Sequence, residues 1–97
     1  MQFTWDERKN RANRRKHGIS FETAVLVFED PDHLSIQDRE VEGELRWQTI
    51  GMVQGKQILL VAHTLSESVR EVNEEVIRII SARKATPQER SIYAQGI

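Results

Sequence analysis

Arginine and histidine are the residues of this chain best suited to chemistry. Arg46, Arg78 and Arg83 fall on predicted strands or at a strand end, and a guanidinium binds phosphate oxygens through two parallel hydrogen bonds. His17 and His63 add imidazoles, whose ordinary pKa of about 6.5 lets them take or give a proton near neutral pH. Phosphate binding coupled to proton transfer is the chemistry such a set could support. Each group also has a plainer reading. His17 ends a predicted helix, where a cation simply favours the dipole; His63 follows LLVA and could be an ordinary sheet residue; Arg78 could snorkel or pair with a carboxylate. Glu44, beside Arg46, could accept a proton in place of an imidazole or be a solvated loop carboxylate.

Other catalytic templates find no match. There is no cysteine, and His17, His33 and His63 are the only histidines, so no set of zinc ligands has a plausible spacing. No Gly-rich phosphate loop and no serine in a nucleophile elbow occurs. Glu74 and Glu75 are adjacent on a loop, a poor geometry for two-metal chemistry. No metal or cofactor is expected. The start, MQFTWDERKN, lacks the apolar core of a secretory signal, and no apolar run approaches the length of a membrane span. With no cysteine to oxidise, the chain fits a reducing cytoplasm, and a soluble cytoplasmic protein without a membrane partner is expected.

Charge is sorted along the 97 residues although the formal net charge is −1. Residues 6–17 hold six basic side chains against two acidic ones, and residues 78–90 hold four against one. Residues 29–75 hold eleven acidic against four basic. A basic face could thus meet a polyanion while the whole stays neutral, and a solvated basic helix explains the first segment equally well.

The elements that would position these groups follow from local pattern. Phe3 and Trp5 alternate with polar neighbours as in a short edge strand. Asp6 is a suitable N-cap for a helix over 7–17, stopped by Gly18. That helix has almost no apolar face, and it is expected either to pack through alkyl stems and Trp5 or to lie loosely against the sheet. Ser20 caps a second helix over 21–28, with Phe21, Ala24, Val25 and Phe28 at core spacing. A strand over 34–38, a polar loop over 39–44, a strand over 45–53, a turn at 54–56 and an apolar strand over 57–65 come next. The last pair reads as a hairpin with its second strand central in the sheet.

After an acidic loop over 66–75 comes the stretch RIISARKAT at 78–86, a strand leading into the closing helix. Simple alternation puts Ile77, Ile79 and Ser81 on one face and Arg78, Ile80 and Ala82 on the other. Thr86, Pro87 and Glu89 form a capping box with proline at the first helical position, and start a helix over 87–95. The order predicts one α+β domain over 1–97, with helices packed against a small antiparallel sheet.

FTWDERKNRANRRKHGISFETAVLVFEDP, RWQTIG and RIISARKATPQERSIY together resemble the BrnT toxins of bacterial type II toxin-antitoxin pairs, over nearly the whole chain. The resemblance implies a RelE-like fold and a ribonuclease, neutralised by a BrnA-like ribbon-helix-helix antitoxin that itself binds operator DNA. It also implies a hetero-oligomer with that antitoxin, and contact with DNA only through it.

On that reading the chain cleaves messenger RNA without a metal, by attack of the 2′-hydroxyl, and so inhibits translation. Arg46, Arg78 and Arg83 would neutralise the scissile phosphate, and His63 or His17 would move protons. Tyr93 resembles the C-terminal tyrosine of RelE-like toxins, able to stack on a base or hold a phosphate, unless it merely anchors its helix. Lys9, Lys16, His17 and Lys84 are the expected RNA-binding groups. The competing reading is a non-catalytic module that acts only as partner and corepressor of a DNA-binding antitoxin. It rests on the sparse apolar face of the first helix and the imperfect alternation at 45–53, surface that a partner could cover.

Overall fold

Residues 1–67 and 74–96 are described by the structure, a computed structural model of the chain. Five strands form one sheet: β1 (Gln2–Thr4), β2 (Leu34–Val41), β3 (Glu44–Val53), β4 (Gln57–Glu67) and β5 (Glu75–Lys84), in the order β1-β5-β4-β3-β2. The helices are α1 (Glu7–His17), α2 (Phe21–Ala24) and α3 (Pro87–Gln95). The α+β class and the position of the apolar strand β4 at the sheet centre agree with the sequence. The expectation of a purely antiparallel sheet needs correction, because β1 pairs parallel with β5. Three residues of strand carry no signal of direction.

Several boundaries also move. Residues 39–41 belong to β2 rather than to a loop. Only Glu42 and Gly43 turn the chain, with φ of 51° and 80°, the two left-handed residues a tight hairpin needs. The second predicted helix holds α-helical form for one turn and then tightens into a 3₁₀ segment, Val25–Glu29. This segment lies close on β3: a Cβ at Gly51 would sit 2.7 Å from Val27 Cγ1 and 2.9 Å from the Val27 carbonyl oxygen. Most of the acidic loop placed at 66–75 lies outside the described residues.

One face of the sheet carries the main core. Val53, Leu59, Val61, Ile77, Ile79 and Ala82 pack there with Ile19, Phe21, Ala24 and Val27 from the helix layer. Trp5 meets Phe21 edge-on at 6.1 Å between ring centroids. Hydrogen bonds from two asparagines also hold α1 in place. Its inner face presents Asn10 and Asn13, both buried. Asn13 donates to the carbonyls of Ile19 and Ala82, each at 2.8 Å, and accepts from the Ala82 N–H at 3.1 Å. Asn10 accepts from the Phe21 N–H at 2.8 Å. At Ala82, beyond the end of β1, the amide of Asn13 thus completes the edge of β5 as one further rung would. Asp30 serves the edge of β3 in the same way, accepting from the Met52 N–H at 2.7 Å where β2 has not yet begun.

The other face is covered at one end by α3, which packs against β3 above buried Ile50 and Leu60. Its far end carries Arg46 and Arg78.

Candidate active site

A β-bulge decides which arginines meet. On β5, Ser81 pairs with Ala62 and Ile79 with His63, so Ile80 is an extra residue without a partner. Before the bulge Arg78 pairs with Thr64, and after it Arg83 pairs with Leu60. Thr64, Ala62 and Leu60 share one face of β4, so Arg78 and Arg83 share that face too, although five residues apart. The same shift carries Ala82 to the core face beside Ile77 and Ile79 and takes Ser81 away from it. This reverses the pairing of faces that plain alternation predicts for residues 81 and 82.

Arg46 joins Arg78 on one rung. It pairs with Thr64 from the β3 side, so Arg46, Thr64 and Arg78 run in a line across three strands. Glu44, two residues before Arg46, reaches over the same face. Its Oε1 accepts a hydrogen bond from the Arg78 guanidinium and lies 3.8 Å from Arg46 Nε. Arg78 is therefore paired with a carboxylate, as its plainer reading allows. Arg46 Nε is buried and, among the described residues, is the one buried side-chain nitrogen or oxygen without a hydrogen-bond partner. Leaving such a donor unmet costs about 1–3 kcal/mol. The Arg78 and Glu44 side chains remain 45% and 42% exposed, so an approaching anion can reach the row.

Arg83 shares the face but is occupied. Its Nη1 and Nη2 donate to the two carboxylate oxygens of Glu89 at 2.7 and 2.9 Å. Glu89 Oε1 also accepts from the Thr86 N–H at 2.9 Å within the capping box. The bidentate hydrogen bond raises the Arg83 pKa further and holds the Glu89 carboxyl below its ordinary range. Arg83 therefore fastens the start of α3 to β5, and its guanidinium fork is taken up by Glu89.

His63 is not brought to the row. It lies on the core face, 2% exposed, with its ring edge-on to Phe28 at 5.1 Å. The Thr64 carbonyl can only accept, so Nδ1 carries the proton at 3.1 Å, and Nε2 accepts from the Thr49 hydroxyl at 2.7 Å. Burial lowers the His63 pKa and favours this neutral form. The sheet separates His63 from Arg46 and Arg78. Alternation counted from Arg46, through the partner residues of β4, would have assigned His63 to the opposite face.

Tyr93 is also removed from the row. Its hydroxyl donates to Asp30 Oδ2 at 2.6 Å, and that bond pushes its pKa up to about 12. Burial alone would raise Asp30, but hydrogen bonds from Met52, Tyr93 and Asp32 outweigh it and hold the carboxyl low. Tyr93 thus ties α3 to Asp30. Lys9, Lys16 and His17 lie on α1, in the layer on the opposite side of the sheet, and Lys84 is exposed at the end of β5. Glu44 is the site residue that the sequence underrated. The signal was present in its spacing from Arg46, but residues 39–44 read as a loop.

Among the described residues no cluster of His, Cys, Asp or Glu could hold a metal ion. No helix is long and apolar enough to cross a membrane.

The model of the BrnT ribonuclease toxins of type II toxin-antitoxin systems matches residues 5–89. The chain belongs to that family. A solved relative is the ribonuclease toxin BrnT of Brucella abortus, whose crystal structure is 25% identical in sequence and superposes with a TM-score of 0.59, over 89% of this chain and 97% of that one. No curated protein sequence matches. Membership in the BrnT family makes the chain a ribonuclease toxin at family level and implies an antitoxin partner. The residues matched span β2 to β5 and hence every member of the arginine row.

Proposed function

We propose that this chain is an endoribonuclease that cleaves messenger RNA at the row formed by Arg46, Thr64 and Arg78, with Glu44 as its base. The observation that carries the reading is the Arg46 Nε, without a hydrogen-bond partner, on the same rung as Arg78. Two guanidinium groups on one rung can hold the non-bridging oxygens of a phosphodiester and stabilise the charge that builds on them in the transition state.

The remaining parts follow from position. Glu44 is the proton acceptor nearest to both guanidiniums. It takes the proton of the 2′-hydroxyl as the 2′-oxygen attacks the neighbouring phosphorus. The 5′-oxygen leaves with its bonding electrons and takes a proton from water, which gives a 2′,3′-cyclic phosphate and a free 5′-hydroxyl. No histidine is needed, in keeping with the burial of His63 on the other face. Ribonuclease activity in the cell would inhibit translation, and a BrnA-like ribbon-helix-helix antitoxin bound to operator DNA would neutralise it.

Induced expression of the chain alone in a bacterial host tests this. Growth arrest with RNA cleavage is expected, and loss of both in an Arg46→Ala, Arg78→Ala double variant. Normal growth with folded protein accumulating would overturn the reading in favour of a module that acts only together with its antitoxin.

A further inference from the structure

The outer side of α1 is a second cationic surface, and the arginine row makes no use of it. Asn10, Asn13 and His17 recur at i, i+3 and i+7 on the inner face, where both asparagines are buried. Arg8, Arg11 and Arg15 recur at the same spacing on the opposite face, flanked by Lys9 and Lys16, and all five are exposed. Ala12 is the only other residue among them. Asp6 and Glu7 are spent locally, Asp6 on the helix cap and Glu7 on Trp5 and Asn10. Among the described residues no carboxylate forms an ion pair with any of the five. Arg14, turned toward Glu22, is off this face.

We propose that this face of α1 binds the phosphate backbone of RNA, as a non-catalytic surface on the layer opposite the arginine row. Five like charges along about 12 Å of helix repel one another and weaken an isolated helix, and a polyanion removes that repulsion. A protein partner fits less well. Protein interfaces draw their energy from buried aromatic and aliphatic anchors and are poor in lysine at their centres, and this face offers one alanine. Phosphates require only the cations, whose counterions they release. The surface does not depend on the assignment of the arginine row, and its test avoids cleavage altogether.

The experiment measures binding of the full chain to a labelled single-stranded 2′-O-methyl RNA, which has no 2′-hydroxyl to attack, across a series of salt concentrations. Replacing Arg8, Lys9, Arg11, Arg15 and Lys16 with glutamine keeps helix propensity, and circular dichroism confirms the fold. Each lost phosphate contact should make the slope of log K against log salt less negative by about 0.7, so a change approaching about 3.5 is expected if all five are lost. A control lacking Arg39 and Lys56 should retain the parent slope. An unchanged slope in the folded five-fold variant overturns the proposal. Binding of the parent to poly-glutamate as tightly as to the RNA overturns it as well, since the face would then suit an acidic polypeptide.

Discussion

Arg46 and Arg78 stand on strands that are not neighbours, yet both pair with Thr64 of the strand between them. Strands lie about 4.8 Å apart, so the two guanidiniums reach toward each other over a short threonine. Alanine at either position is expected to slow RNA cleavage by a factor on the order of 10²–10³. The Arg78 side chain is 45% exposed and that of Arg46 26%, so the melting temperature should stay near the parent's for Arg78→Ala and fall further for Arg46→Ala. Single-turnover cleavage beside a melting curve separates the two effects. A folded Arg78→Ala protein that cuts at the parent rate would remove the row from the mechanism.

Glu44→Gln keeps the shape of the side chain and removes its basicity. Cleavage should fall by a factor on the order of 10²–10⁴. Affinity for uncleavable RNA should hold or rise, because the variant withdraws a negative charge from between two guanidiniums. Parent-like turnover would show that another group accepts the proton.

Asn13→Ala leaves the N–H and carbonyl of Ala82 without partners at a buried sheet edge. Each unmet group costs about 1–3 kcal/mol, so a loss of roughly 3 kcal/mol is expected. In a chain of this size that lowers the melting temperature by more than about 10 °C. Faster hydrogen exchange at the Ala82 amide would locate the effect.

His63 is neutral in the folded protein, and burial lowers its pKa below the unfolded value of about 6.5. The unfolded chain therefore binds more protons at mildly acidic pH. The stability associated with His63 is full above about pH 6.5 and is lost as pH falls toward the folded pKa. Denaturant titrations from pH 8 to pH 5 should show that decline, and a His63→Gln variant should flatten it even if its stability is lower throughout. A decline of the same size in the variant would assign it to other groups.

Arg83 and Glu89 should behave as a structural pair. Their side chains are 36% and 19% exposed, so solvent screens much of the charge interaction, and a double-mutant cycle is expected to give a coupling of roughly 1 kcal/mol. If Arg83→Ala weakens RNA binding while Glu89→Ala leaves both stability and binding unchanged, Arg83 belongs with the phosphate ligands after all.

Local signals carried far in this chain. Asp6, Gly18, Ser20 and the Thr86–Glu89 box mark helix ends through hydrogen bonds made within a few residues. The apolar run 58–62 of β4 announced a central strand because burial on both faces favours apolar side chains at successive positions. The resemblance in 3–31, 46–51 and 78–93 gave the family.

Two decisions were made elsewhere, for a shared reason. The bulge at Ile80 exists only in the pairing of β5 with β4, and nothing in RIISARK marks which residue will go unpaired. It alone unites Arg78 and Arg83 on one face and returns Ala82 to the core. The inner face of α1 is likewise invisible to a search for apolar spacing, because asparagines do its packing, and Asn13 finds its partner 69 residues away at Ala82. The sequence by itself determined the elements, their caps and the family, since these rest on neighbours along the chain. Tertiary structure decided which side chains share a face, since a one-residue slip in strand pairing reverses every position beyond it.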